Sequence, residues 1–530
     1  MNGAESLVRT LADSGVEVCF TNPGTSELYT VAALDTVGAV RGVLCLFEGV
    51  ATGAADGYGR IAGHPAMTLL HLGPGLGNGL ANLHNARRAH TPIVSVVGDH
   101  ATYHKAYDAP LESDVDALAG SVSASVCRPM EPAQVGPDAA AAVAAARSAP
   151  GGISTVLLPA DVAWSQGAAA AAPVAPTPPA PVPAARVEQV AALFTAGGGA
   201  PGEGVVLLLG GEACHEAGLR AAARLAALGA QVLIETLPAR LERGGGLPAF
   251  DRLGYFPDQA LAQLAGARHL VLVGARSPVA FFAYPGKPSS LVPPATAVHP
   301  LAEPHEDAPA ALCALADLLA APTPQSGGAG AYAAADRPAL PPPGTVLDAN
   351  TWVDVLAALL PEQAIVVDEA NTSGAGLPAA TAHSARHDLL GLTGGAIGIG
   401  LPLATGAAVA APDRPVLALE SDGSALYTIS ALWTQAREGL DVTTVLLHNA
   451  AYAILRLELQ LAGLAPGGVP GPQAASLLDL ARPDLDFARI AEGFGVPGAT
   501  ARTTGELADQ LARALAEPGP HLIDAILTSA

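Results

Sequence analysis

Apolar runs of only four to seven residues, each followed by a longer stretch patterned for a helix, recur along this chain from end to end. Short buried strands that alternate with helices fold as parallel sheets covered on both faces, because a parallel connection is long enough to hold a helix. The runs fall at 16–20, 43–47, 66–71, 93–97 and 155–158, then at 204–209, 231–234 and 270–273, and finally at 364–367, 416–419, 442–447 and 522–526. The expected class is α/β, with three open, mainly parallel sheets and ligands at the carboxyl ends of their strands.

A chain of 530 residues should divide into roughly three domains, since single cores stop growing beyond about 250 to 300 residues. Two low-complexity segments supply the divisions: 166–185 is almost wholly Ala and Pro, and 321–344 is rich in Gly, Pro and Ala. Such compositions read as linkers. The domains expected are therefore 1–165, 186–320 and 345–530.

No window offers the roughly 20 consecutive apolar residues of a membrane helix, and the start lacks the basic and apolar regions of a secretory signal. The expectation is a soluble, cytoplasmic protein. A net charge of −22 argues against a nucleic-acid partner, which would need clustered Lys and Arg. Cys19, Cys45, Cys127, Cys214 and Cys313 are scattered and without a CxxC pair, as expected of reduced thiols.

In the last third, the strand ending at Leu419 leads to Glu420-Ser421-Asp422-Gly423-Ser424, where a helix with apolar residues at helical spacing is expected to open at Ser424. The next strand ends at Leu447 and delivers Asn449, 27 residues beyond Asp422. A helix N-terminus presents free N–H groups to an anion. One carboxylate, one amide oxygen and one backbone carbonyl are hard ligands suited to Mg²⁺ between two phosphates, and Ca²⁺ could substitute on ligand type. Ser-Asp-Gly by itself is also an ordinary capped turn; the placement of both groups at successive strand ends separates the two readings.

In the first third, Glu48 follows an apolar strand and begins a helix made largely of Gly and Ala, whose small side chains permit close packing. Its position at a helix start favours the anion, whereas apolar surroundings favour the protonated acid.

The segment from Ser421 to Tyr452 resembles the diphosphate motif of thiamine-diphosphate-dependent 2-oxo acid enzymes, with Ser421 in place of a Gly and His448 in place of an Asn. The resemblance implies three domains (pyrimidine-binding, central and diphosphate-binding) and a metal held by Asp422, Asn449 and the carbonyl of Ala451. Gly423, Ser424 and Tyr452 would also line the cofactor. It makes Glu48 the acid/base that exchanges a proton with the aminopyrimidine ring. The loop from Asn22 to Leu28 is similar to that of benzoylformate decarboxylases, and the layout to that of acetohydroxyacid synthases. By motif, Thr25 stands for an active-site serine and His71 for an active-site histidine. Gly395 would offer a carbonyl to the cofactor's amino group, Ile397 would wedge its bent conformation, and Asn371 and Thr372 would contact the diphosphate.

A further histidine of benzoylformate decarboxylases has no counterpart, since the corresponding stretch carries Phe281 and Phe282. Glycines 73, 75, 77 and 79 miss the dinucleotide fingerprint and read as a tight strand-to-helix turn beside the site. FAD in the central domain, which acetohydroxyacid synthases bind, is a less favoured possibility. The leading expectation is a carboligase of the acetolactate synthase type, decarboxylating a 2-oxo acid such as pyruvate and passing the acyl carbanion to a second carbonyl. The alternatives are a decarboxylase releasing an aldehyde and a non-catalytic paralogue serving as a binding subunit. The family also implies a homodimer or homotetramer with sites shared between subunits.

Overall fold

The computed structural model describes residues 1–195, 200–323, 337–465 and 468–528. The first sheet contains β1 (Val18–Thr21), β2 (Arg41–Leu44), β3 (Ala66–His71), β4 (Ile93–Asp99), β5 (Ser125–Cys127) and β6 (Ile153–Pro159). All are parallel, in the order β2-β1-β3-β4-β6-β5. Next in the chain come β7 (Val205–Leu209), β8 (Gln231–Ile234), β9 (Leu241–Arg243), β10 (Asp251–Arg252), β11 (His269–Val273) and β12 (Ala297–Ala302). Five of these form a parallel sheet in the order β10-β8-β7-β11-β12.

The last third adds β13 (Ala364–Glu369), β14 (His387–Gly391), β15 (Val416–Ser421), β16 (Val442–His448), β17 (Gly498–Ala501) and β18 (His521–Ile526). They make the third sheet, β17-β18-β16-β15-β13-β14-β9. Its edge strand β9 comes from the middle of the chain and is antiparallel, pairing Arg243 with His387. Sequence pattern does not reveal that exchange, because a three-residue strand has no periodicity to read. The run expected at 43–47 is likewise shorter, and residues 45–47 connect β2 to the helix Glu48–Ala62.

The small residues of that helix let it lie directly on the helix Gly400–Ala410. A Cβ on Gly57 would stand 2.0 Å from the Leu403 carbonyl oxygen, and one on Gly406 would stand 1.8 Å from that of Ala54. Val50, Ala51, Ala54 and Ala55 share one buried core with Leu401, Leu403, Ala404 and Ala407. Near the end of the contact, buried Arg60 holds Asp56 at 2.6 Å and donates to the Gly391 carbonyl at 2.7 Å. The first and third sheets are thereby fixed against each other.

The Ala/Pro segment at 166–185 is tied down along the surface. Ser6 Oγ donates to the Ala169 carbonyl at 2.7 Å, and Ala180 bridges to Glu306. Of the second low-complexity segment, residues 324–336 lie outside the described residues. Among the described residues, no helix is long and apolar enough to cross a membrane. All five cysteines are free, and burial pushes the Cys45 thiol up to about 12.

Candidate active site

Open parallel sheets bind ligands where neighbouring strands send their connections in opposite directions. In the first sheet that point lies between β1 and β3; in the third it lies between β13 and β15. The residues singled out by motif collect at the carboxyl ends of these two strand pairs and their neighbours.

Glu48 is the first residue of its helix and is largely buried. Asn78 Nδ2 donates to its Oε2 at 2.9 Å. A Cβ on Gly75 would stand 3.3 Å from Glu48 Oε1 and 3.2 Å from the Cβ of His71, so both side chains flank one bare backbone position. Gly75 belongs to the helix Leu72–Ala89, not to the tight turn expected from its glycines. Leu72 has φ 51°, a left-handed break costing about 1–2 kcal/mol for a residue with a side chain. Pro74 sits in the first turn, where its missing N–H is harmless. Packing overrides glycine's poor helix propensity here: a Cβ on Gly79 would stand 2.8 Å from Thr52 Cγ2.

His71 ends β3. Its Nδ1 lies 2.8 Å from Glu27 Oε2 and 3.0 Å from Ser26 Oγ. Glu27 is buried and also accepts the Gly24 N–H at 2.8 Å. Thr25 is exposed on the same loop, and it is its neighbour Ser26 that reaches the histidine.

On the third sheet, β15 ends at Ser421 and the helix Asp422–Thr428 begins two residues earlier than expected. Asp422 Oδ1 accepts the Gly423 N–H at 2.7 Å, and its Oδ2 accepts those of Asn449 and Ala450 at 3.1 and 2.6 Å. The carboxylate thus gathers the two strand ends directly. Asn449 Oδ1 accepts the Ala451 N–H at 3.0 Å, and its Nδ2 donates to Ser373 Oγ at 3.3 Å. Ala450 has φ 54°, turning the chain so that 449 and 451 stay close. The Tyr452 ring covers Gly423, where a Cβ would stand 2.5 Å from Cε1.

Asn371, at φ 48°, spans the crevice between β13 and β15. Its Nδ2 donates to Ser421 Oγ and Ser424 Oγ, both at 3.1 Å. Thr372 follows it, half-buried.

The loop after β14 carries Gly395, exposed at φ 75°, and half-buried Ile397. It is held by the Leu72–Ala89 helix. Asn85 Nδ2 donates to the Ala396 carbonyl at 2.8 Å, and Asn82 Nδ2 to that of Gly398 at 3.3 Å. Beneath it, Glu369 accepts the N–H groups of Gly398 and Gly400. Glu369 and Glu420 are in register on β13 and β15, both buried. Burial pushes the Glu369 carboxyl up to about 7, and burial together with the neighbouring Glu369 raises Glu420 well above the usual range.

The donor set fits a hard divalent cation. Asp422, the Asn449 amide and the Ala451 carbonyl would supply oxygen donors of that kind at two adjoining strand ends, where the Ala451 carbonyl also accepts the Ala453 N–H at 2.9 Å. Burial raises the Asp422 carboxyl above its ordinary value against the pull of the Gly423 and Ala450 N–H groups. A cation there would stabilise the anion. His448 lines the same small pocket as Asp422 and is held between Asp524 at 3.1 Å and Asp484 at 3.2 Å. Among the described residues no cluster of three or more His, Cys, Asp or Glu side chains is placed to hold a metal.

In the middle sheet the corresponding crevice, between β7 and β11, is narrow. A Cβ on Gly210 would stand 3.0 Å from both Ala275 and the Glu235 carboxyl carbon. Phe281 stacks on Tyr255 with ring centroids 4.6 Å apart, and Tyr284 reaches Glu458 of the helix Ala453–Leu461 at 3.0 Å.

Four site residues escaped the sequence reading: Glu27, Asn78, Glu369 and Glu420. Each owes its place to a partner on another element. The available signal was position, since Glu369 and Glu420 lie at strand ends and Glu27 in the loop that follows β1.

Comparison with known proteins shows the family of the chain and its fold. The family model for the thiamine pyrophosphate enzyme N-terminal TPP binding domain matches residues 1–119, and that for the C-terminal TPP binding domain matches residues 380–525. A Mycobacterium tuberculosis protein named "Putative acetolactate synthase large subunit IlvX" is 61% identical, covering 100% of this chain and 99% of its own. Benzoylformate decarboxylase of Pseudomonas aeruginosa is 31% identical, covering 96% of each chain. The structure of the thiamine diphosphate-dependent 4-hydroxybenzoylformate decarboxylase of Rhodococcus jostii RHA1 has the same fold, with a TM-score of 0.83 at 24% identity over 100% of both chains.

Proposed function

We propose that this chain, which belongs to the thiamine pyrophosphate enzyme family, decarboxylates a 2-oxo acid and transfers the resulting acyl carbanion equivalent to a second carbonyl compound. One observation carries the reading: the acid Glu48 and the oxygen donors around Asp422 stand at the carboxyl ends of sheets whose helices are packed together. When bound, thiamine diphosphate supplies the nucleophilic carbon and the electron sink.

The residues of the chain would divide the remaining work. Asn78 occupies Glu48 Oε2 and leaves Oε1 as the oxygen that exchanges a proton with the pyrimidine ring. Asp422, Asn449 and the Ala451 carbonyl would hold Mg²⁺, while Asn371, Thr372, Gly423, Ser424 and Tyr452 would line the diphosphate. Gly395 and Ile397 would face the pyrimidine and the bend. The parts come together between two copies of the chain, with Glu48 of one serving the Asp422 site of the other, in a homodimer or homotetramer.

Ligation is supported by the acetolactate synthase name of the 61% identical relative and by the apolar surface of Phe281 and Phe282. A second reading, protonation and release of an aldehyde, is favoured by His71 on its buried carboxylate beside Glu48 and by the full-length likeness to a benzoylformate decarboxylase. Purified protein with thiamine diphosphate and Mg²⁺ would be fed pyruvate, benzoylformate and related 2-oxo acids, with and without aldehyde acceptors. Acyloin or acetohydroxy acid products support ligation, and free aldehyde supports the second reading. Absence of CO₂ release from every 2-oxo acid would overturn both.

A further inference from the structure

Glu27 is a buried carboxylate whose only ionisable partner among the described residues is His71. A carboxylate only accepts hydrogen bonds, so with Glu27 as the anion the 2.8 Å contact places the proton on His71 Nδ1. That leaves Nε2 as the ring nitrogen free to take or give a proton. Ser26 Oγ donates to the other carboxylate oxygen at 2.5 Å, and the Gly24 N–H donates to the first.

Room for this arrangement is made by backbone positions that lack a side chain. A Cβ on Gly24 would stand 2.3 Å from the His71 ring, and one on Gly98 would stand 1.9 Å from Glu27 Oε1. Gly75 lies between His71 and Glu48, and the left-handed Leu72 follows His71 at once. The loop after β1 and the strands β3 and β4 therefore converge on the orientation of one imidazole.

We propose that Glu27 is a positioning residue: its buried carboxylate fixes the His71 ring through Nδ1, so that Nε2 serves proton transfer beside Glu48. The inference rests on the proposed function, because it assigns His71 the reacting contact and Glu27 the control of that contact. A carboxylate that orients a histidine fixes both tautomer and direction, and acts only through the ring.

The test is a double-mutant cycle on the holoenzyme, using whichever of pyruvate or benzoylformate is turned over faster. Glu27→Gln and His71→Ala should each lower kcat by roughly tenfold or more, with KM and thiamine diphosphate binding changed by less than about threefold. The double variant should be no slower than His71→Ala within about twofold, because Glu27 has nothing left to orient. Losses that multiply would mean Glu27 acts independently of His71, and the inference would fall.

Gly98→Ala provides a second perturbation that keeps the charge and pushes the carboxylate aside. It should lower kcat in the presence of His71 and have no further effect in its absence. A normal kcat in both Glu27→Gln and Gly98→Ala, with His71→Ala impaired, would overturn the positioning role alone. A normal kcat in His71→Ala would overturn the reading of the site.

Discussion

Glu48 and His71 face one another across Gly75, whose missing side chain leaves the Glu48 Oε1 oxygen and the histidine Cβ against a single backbone position. The acid is thus built into a packed wall, with Asn78 fixing one oxygen and the other left open. Glu48→Gln keeps the shape and the hydrogen-bonding capacity while removing the exchangeable acid proton. Turnover should fall by about 10²–10⁴-fold, while thiamine diphosphate binding measured by fluorescence quenching stays within about threefold of wild type. Unchanged turnover would remove Glu48 from the mechanism.

Asp422 joins the ends of β15 and β16 through three backbone N–H groups. Asp422→Ala should abolish the Mg²⁺ dependence of cofactor retention in equilibrium dialysis and leave weak binding. Chelation with EDTA should bring the wild type to the same level, and Ca²⁺ should restore retention in part. Equal retention by wild type and variant at every Mg²⁺ concentration would contradict the assignment.

The contact between the helices Glu48–Ala62 and Gly400–Ala410 leaves no space for a methyl group. Gly57→Ala would place its Cβ 2.0 Å from a backbone carbonyl oxygen, which cannot rotate away. A loss of about 1–3 kcal/mol or more is expected in urea unfolding, together with weakened cofactor binding as the two sheets shift. Wild-type stability would show that this packing accommodates a methyl group.

His387 is buried at the start of β14, and burial lowers its pKa from 6.5 to about 4. The folded state keeps the ring neutral, whereas the unfolded chain binds a proton below 6.5, so stability is greatest above that pH and is lost as the pH falls towards 4. The shift corresponds to roughly 3 kcal/mol across the window 6.5 to 4. His387→Gln should flatten the acid limb of a plot of unfolding free energy against pH. An unchanged slope between those pH values would show that other groups set it.

Much of the architecture was readable because the strands that carry the site are short apolar runs alternating with helix-patterned stretches. The start of the Glu48 helix could be placed from the change of composition at that residue. Asp422 and Asn449 could be paired because successive parallel strands end on the same side of a sheet. The strand-to-helix passage at 71–72 was legible, but the turn expected over the glycines is already helix, since they are turn formers locally and become helical only against Ser113, Thr52 and Glu48. Glu27 and Glu369 were missed for a related reason. Each acts on a group far away in the chain, His71 in one case and the 398–400 loop in the other. Strand β9 pairs with a strand more than a hundred residues downstream, and nothing local announces it.

Complementation between two inactive variants is the most direct test of the shared site. Glu48→Gln and Asp422→Ala chains would be co-expressed with different tags, and the doubly tagged oligomer would be purified and assayed. A site built from Glu48 of one chain and Asp422 of another predicts that about half of the sites in a heterodimer are intact, with activity to match. Activity no higher than that of either variant alone would contradict the account.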